Sequence, residues 1–332
     1  MNKTILEIKQ LSTSFKTDRG FLKAVDGVSF SLQEGEILGV VGESGCGKSV
    51  TMQSVMRLYD ESRKSVDYGG EILLENTNLF SLTSEKMQEI RGRDISMIFQ
   101  DALSALDPVF TVGNQIEEML KIHTDLNPPE RKAKAIELLK LVGINSPEKR
   151  VDQYPHEFSG GMRQRIMIAI ALSCHPKLLI ADEPTTALDV TIQAQIIDLL
   201  LELNKKLSMS IILITHDMSV IAQVCHRVIV MYLGQIVEEA EVCDLFDHPT
   251  HPYTKGLIRS IPNIANERPE ELFVIKGTVP LLSEVPQGCR FAPRCSYAKD
   301  ICFATMPDLK QIDKAHNVRC WLVEEGGTDH AE

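Results

Sequence analysis

Long apolar runs are missing from this 332-residue chain. Ile166–Leu172 is among the longest, far short of the roughly twenty residues that cross a bilayer. The N-terminus, MNKTILEIKQ, has neither the apolar core nor the cleavage site of a secretory signal. A basic excess is missing too: the net charge of −11 argues against a general nucleic-acid binder, which needs cations to neutralise phosphates. With 43% apolar and 24% charged residues, the composition is that of an ordinary soluble protein. The expected compartment is therefore the cytoplasm, where the eight cysteines stay reduced rather than paired. The length allows one large domain with an appendage, or two domains.

What is present is an α/β pattern. Residues 4–33 alternate as strands of a half-buried antiparallel sheet, broken at Asp18-Arg19-Gly20. Ile37–Val41 is a short apolar run of the kind found in a strand covered on both faces. It feeds directly into Gly42-Glu43-Ser44-Gly45-Cys46-Gly47-Lys48-Ser49, which matches G-x-x-x-x-G-K-[ST] with a strand before it and a helical pattern after it. Glycines at those places let the backbone wrap so that several N–H groups face one phosphate chain at a helix N-terminus. Lys48 supplies a mobile positive charge for the β- and γ-phosphates, and the Ser49 hydroxyl can ligate Mg²⁺.

Three further apolar runs end on a residue able to do chemistry: Ile95–Phe99 on Gln100, Leu178–Ala181 on Asp182-Glu183, and Ile211–Thr215 on His216. Ligands of open parallel sheets sit beyond the carboxyl ends of the strands, so four such runs suggest one shared site. Strand alternation is expected to turn the neighbouring carboxylates different ways, Asp182 toward the metal and Glu183 toward an attacking water. Helical spacing fills most of the stretch between about 102 and 165, with VGNQIEEMLKIH and ERKAKAIELLKLVG on either side of Asn127-Pro128-Pro129. Ser159-Gly160-Gly161 opens a helix of about 14 residues, read either as an ordinary capped helix or as a second anion site. Thr191–Leu207 is amphipathic, with Ile192, Ile196, Leu199, Leu203 and Leu207 on the core face, and Gly234 marks a hairpin. The sheet domain is expected to end near residue 248.

A guanine-recognition N-K-x-D motif is absent: Asn204-Lys205-Lys206-Leu207 lacks the Asp. The set GESGCGKS, Gln100, FSGGMRQR, LLIADEP, Ala187-Leu188-Asp189 and His216 resembles the ATPase subunit of ABC transporters over about residues 1–248. The tail's HPYTKGL and four late cysteines resemble the dipeptide/oligopeptide importer branch, shared in part with nickel importers. The resemblance implies a P-loop NTPase core with an antiparallel β-subdomain and a helical insertion, plus a small Cys-rich module over 249–332. It implies that Phe15 stacks on adenine, that Gly42–Ser49 and the Val50 N–H hold the phosphates, and that Ser49, Gln100 and Asp182 serve Mg²⁺. Glu183 is then the general base and His216 a γ-phosphate contact. Ser159, Gly160, Gly161 and Met162 engage the ATP of an opposite ATPase subunit, a paralogue or a second copy, with Asp189 lining that interface. Two membrane permease subunits and an extracytoplasmic peptide-binding protein complete the implied assembly, at the cytoplasmic face of the membrane. Import of nickel or another small solute is the alternative cargo. A non-transport ABC ATPase acting on nucleic acid would usually carry a long coiled-coil insertion, a second cassette or a basic surface, none of which is present.

Cys289, Cys295, Cys302 and Cys320 follow C-x5-C-x6-C-x17-C, without the tight C-x2-C pairs of common zinc sites and off the usual ferredoxin spacings. The clustering itself points to a four-cysteine metal site. Resemblance to iron–sulfur-bearing members of the importer branch implies a [4Fe–4S] cluster, with zinc the alternative and reduced thiols the remaining one.

Overall fold

A computed structural model of the chain describes residues 3–18, 20–59, 65–101, 105–186, 188–261 and 274–323. Arg19, Ala187 and most of the Pro/Glu-rich connection lie outside the described residues. The chain divides into two compact units: one comprises residues 1–5, 32–37 and 78–214, the other 6–31, 38–77 and 215–332.

In the first unit three parallel strands lie in the order Ile95–Ile98, Leu178–Asp182, Ser210–Ile214. Every residue in them is buried, as a parallel strand covered on both faces requires, which is why the sequence shows continuous apolar runs rather than alternation. Helices Val112–His123 and Pro128–Leu141 occupy the insertion, followed by Gly160–Ala171. The boundary between the first two is local chemistry. Thr111 caps the Asn114 N–H, and Asn127 and Glu130 form a reciprocal capping box with Pro128 in the first turn, so the prolines start a helix rather than separate two. Helix Val190–Leu207 buries Ile196, Leu199 and Leu203, while Ile192 and Leu207 at its ends are half-buried.

In the second unit the strand Ile37–Val41 pairs in parallel, through Leu38–Val41, with Arg227–Tyr232, which pairs antiparallel with Gln235–Glu241. The hairpin turn places Leu233 at φ 43° and Gly234 at φ 79°, the two positive values a two-residue turn of this hand needs. A Cβ on Gly234 would stand 2.3 Å from the Ala24 carbonyl oxygen. Strands Thr4–Thr17 and Val66–Leu74 pair antiparallel in a separate sheet.

Residues beyond 248 share this unit and its sheet. The short strand His316–Val318 adds antiparallel to Gln235–Glu241, opposite Glu238 and Glu239, and Lys310–Asp313 adds outside it. Glu238 is fully buried and accepts from the Thr250 and His251 N–H groups and contacts His316 Nε2 at 2.7 Å. His251, also buried, accepts the Tyr253 N–H at Nδ1 and so starts helix Pro252–Arg259.

Burial outweighs the nearby Glu238 charge and lowers the His251 imidazole from its ordinary 6.5 to about 4. The unfolded chain therefore takes up this proton as pH falls below 6.5, while the folded chain resists until about 4. Stability is full above the unfolded value and is lost through that window, by about 3 kcal/mol for this group. Urea unfolding of the parent should steepen with acid between those limits, and His251→Gln should flatten the slope. An equal slope in both proteins would show that His251 does not carry the effect.

Candidate active site

The loop Gly42–Gly47 leaves strand Ile37–Val41 and enters helix Lys48–Val55, with Gly47 at its N-cap at φ 99°. Two of its glycines are obligatory for space. A Cβ on Gly42, at φ 148°, would lie 2.3 Å from the Met231 carbonyl oxygen, and one on Gly47 would lie 2.9 Å from that of Ala24. Gly45, at φ 79°, has none of the described residues within 4 Å of an added Cβ, so among them only the backbone conformation favours glycine there. Lys48 is buried along its stem, and its ammonium donates to the Gly42 and Glu43 carbonyls at 2.7 and 3.1 Å. Cys46 is buried in the loop's base, where desolvation raises its thiol pKa; it is a packing residue there, not a thiolate. Ser44 is exposed, and Ser49 and Val50 are half-buried at the start of the helix.

Phe15, in the same unit, is half-buried and meets Tyr59 edge-on with ring centroids 4.8 Å apart. His216 is exposed just after Thr215, whose N–H donates to the Val40 carbonyl, so a strand-end position is set by a strand-type hydrogen bond. Asp217 then caps helix Met218–Val224 through the Ser219 N–H.

In the other unit the strand Leu178–Asp182 ends on a buried Asp182. Glu183 does not continue the strand's alternation. Its φ of 46° is left-handed, a strained state for a non-glycine residue, and its N–H donates to the Ile214 carbonyl at 2.9 Å. The strand thus ends at Asp182, and a turn rather than the pleat sets the backbone at Glu183, where strand alternation was expected. Two donors hold the Glu183 Oε2: the Gln100 amide at 3.0 Å and the Thr186 hydroxyl at 2.9 Å. The structure thus brings Gln100 to Glu183, and it adds Thr186, whose place in ADEPTTALD gave no sign of which threonine would act. If Glu183 is the general base that the resemblance implies, Thr186→Val should lower kcat about tenfold, equivalent to about 1.4 kcal/mol, by freeing the carboxylate to rotate, with KM for nucleotide little changed. Steady-state kinetics check this; a parental kcat would remove Thr186 from the site.

Ser159 and Gly160 are exposed, and Ser159 makes no side-chain cap to helix Gly160–Ala171, contrary to the capping role its residue type suggested. Met162 is half-buried and its sulfur receives Arg150 at 3.4 Å. Asp189 caps helix Val190–Leu207 through the Ile192 N–H at 3.0 Å and is exposed.

All four late cysteines line one small cavity, walled also by His251, Phe291, Ala292 and Trp321. They are thiols, none in a disulfide, and burial raises Cys289, Cys295 and Cys320, the last to about 12. Among the described residues no group of three or more His, Cys, Asp or Glu is placed to hold a metal ion.

Residues 25–186 match the family described as ABC transporter, and 237–302 match that of the oligopeptide/dipeptide transporter C-terminal region. Over 328 residues the chain is 50% identical to the oligopeptide transport ATP-binding protein AppD of Bacillus subtilis, covering 99% of each. The chain belongs to the ABC transporter ATP-binding proteins. The dipeptide transport ATP-binding protein DppD of Haemophilus influenzae is 50% identical over 317 residues, 95% of this chain and 94% of that one. Among solved structures, the ATP-binding cassette MJ0796, a dimer in a post-hydrolysis state bound to ADP and Pi, matches with a TM-score of 0.64 and 27% identity, over 71% of this chain and 98% of that one. As an ABC cassette ATPase the chain binds ATP with Mg²⁺ and couples its hydrolysis to transport. Among the described residues no helix is long and apolar enough to cross a membrane.

Proposed function

We propose that this chain hydrolyses ATP to power the import of di- and oligopeptides through a membrane permease. The observation that carries the reading is near-complete coverage, at half identity, of relatives named for oligopeptide and dipeptide transport, together with the importer-type C-terminal region. Lys48 and the N–H groups of Ser44–Val50 hold the phosphates, Phe15 takes the adenine face, and Ser49 and Asp182 ligate Mg²⁺ with help from Gln100. Glu183 takes the proton of the attacking water, and His216 contacts the γ-phosphate. Mg²⁺ supplies charge neutralisation at the phosphate oxygens.

Ser159, Gly160, Gly161 and Met162 serve the ATP of a second ATPase subunit, a paralogue or a copy of this chain, with Asp189 beside it. What supports this is that, among the described residues, a Cβ at Gly160 would meet only Leu188, at an ordinary 3.6 Å. Two permease subunits, fed by an extracytoplasmic peptide-binding protein, seat the pair at the cytoplasmic face of the membrane. Reconstituted with its permease in lipid vesicles, the ATPase should accelerate when peptide-loaded binding protein is added. Acceleration by a nickel-loaded binding protein alone would replace the cargo assignment.

The cysteine cavity is assigned to a [4Fe–4S] cluster, whose ligands stand further apart than those of a single ion. Its support is four thiols of one type converging on one largely apolar cavity. Anaerobically purified protein should be brown, with absorbance near about 400 nm and iron in the mass analysis, whereas Cys302→Ser protein should lose both. A colourless, iron-free parent would sink the assignment.

A further inference from the structure

One residue of the phosphate loop is gripped at both its main chain and its side chain by segments more than two hundred positions away. The Glu43 N–H donates to the Tyr253 hydroxyl at 2.7 Å. Its carboxylate takes both arms of the Arg294 guanidinium, at 2.6 and 3.0 Å. A phosphate loop works by turning N–H groups toward the ligand, and this N–H is turned away from that task by a phenol oxygen. Glu43 is therefore an anchor of the loop rather than one of its phosphate donors.

Both grips are rigid. Tyr253 is fully buried, packed against Tyr232 and Phe291 with centroids 4.8 and 5.3 Å away. The Arg294 side chain is 4% exposed. Its remaining donor positions reach the Lys276 and Gly277 carbonyls at 3.0 and 3.2 Å and the Tyr232 hydroxyl at 3.3 Å. A forked, planar cation with every arm engaged fixes the direction of the carboxylate it holds. The Glu43 carbonyl is in turn one of the two acceptors of the Lys48 ammonium. A shift of Glu43 thus reaches the loop's principal cation through one residue.

Arg294 also stands inside the cysteine segment. It follows the turn in which the Ala292 N–H donates to the Cys289 carbonyl, and it precedes Cys295, whose N–H donates to the Ala292 carbonyl. The turn that sets two cavity cysteines therefore sets this guanidinium as well.

We infer that Arg294 and Tyr253 are positioning residues of the ATP site, which act through Glu43 to hold the phosphate loop in its binding shape and make nucleotide affinity depend on the C-terminal cysteine segment. The inference rests on reading Gly42–Ser49 as the ATP phosphate loop. Its test is the dissociation constant of a fluorescent ATP analogue with Mg²⁺, measured on the full chain for Arg294→Ala, Arg294→Lys, Tyr253→Phe, Glu43→Ala and the Arg294→Ala/Glu43→Ala pair, with Lys48→Ala as control. Arg294→Ala and Glu43→Ala should each weaken binding about tenfold, and the double variant should be no weaker than the worse single, because both remove one linkage. Arg294→Lys should fall between, and Tyr253→Phe, which keeps the packing, should weaken binding severalfold. Merely structural residues would lower the melting temperature but leave the affinity of the folded fraction intact. Parental affinity in Arg294→Ala and Tyr253→Phe, or fully additive losses in the double variant, would overturn the inference. If Lys48→Ala also bound as the parent does, the phosphate-loop reading itself would fall, a result separable from the others.

Discussion

Glu183→Gln should bind ATP with close to parental affinity and turn it over at least about a hundredfold more slowly, within the range a general base supplies. The substitution is informative because the site tolerates its shape. In the parent, the Gln100 amide and the Thr186 hydroxyl both donate to one oxygen, Oε2. A glutamine can present its carbonyl oxygen there and keep both bonds, so the left-handed turn at φ 46° and its hydrogen bond to the Ile214 carbonyl need not move. What is lost is the second oxygen as a proton acceptor. Nucleotide titration and a phosphate-release assay on the same preparation separate the two properties. Undiminished release would refute the base assignment, and joint loss of binding would show that Glu183 instead shapes the nucleotide site.

That turn also marks where reading the chain stops working. The run LLIAD was legible as a buried strand because its neighbours cover both faces, and the tight wrap of the Gly42–Gly47 loop because glycine spacing is a direct consequence of close backbone approach. Helix Val112–His123 was legible end to end, since its cap and period are both local. The direction of Glu183 was not, because it depends on a φ that favours glycine yet is carried here by a glutamate. Nor was the destination of residues beyond 248. The strand that joins them to the sheet, His316–Val318, has three residues, too few to show a period. Arg294 and Glu43 are 251 positions apart, and an arginine between a proline and a cysteine carries no sign of its target. Long-range polar pairs are specified by the finished fold, whereas caps and periods are specified by neighbours. Tyr253 stands between these cases: HPYTKGL was conspicuous, and only the structure shows its phenol receiving the loop's N–H.

The two glycines that open helix Gly160–Ala171 should part company under the same substitution. At Gly161 a Cβ would stand 2.6 Å from Ile192 Cγ2, so alanine must push a neighbouring helix side chain aside and should cost about 1–3 kcal/mol of stability. At Gly160 the nearest atom among the described residues would be 3.6 Å away and φ is not in the left-handed region, so alanine fits. Helix propensity even favours it, by up to about 1 kcal/mol. A free-standing helix start would therefore gain from Gly160→Ala. If Gly160 instead faces the ATP of a second subunit, the added methyl stands between the helix N–H groups and the phosphates they serve. Gly160→Ala should then melt no lower than the parent, bind ATP as well in the isolated chain, and lose at least about tenfold in turnover within the assembled transporter. Calorimetry, nucleotide titration and vesicle ATPase rates decide the matter. A stable Gly160→Ala protein that turns over at the parental rate would mean that the Ser-Gly-Gly turn is only a helix start.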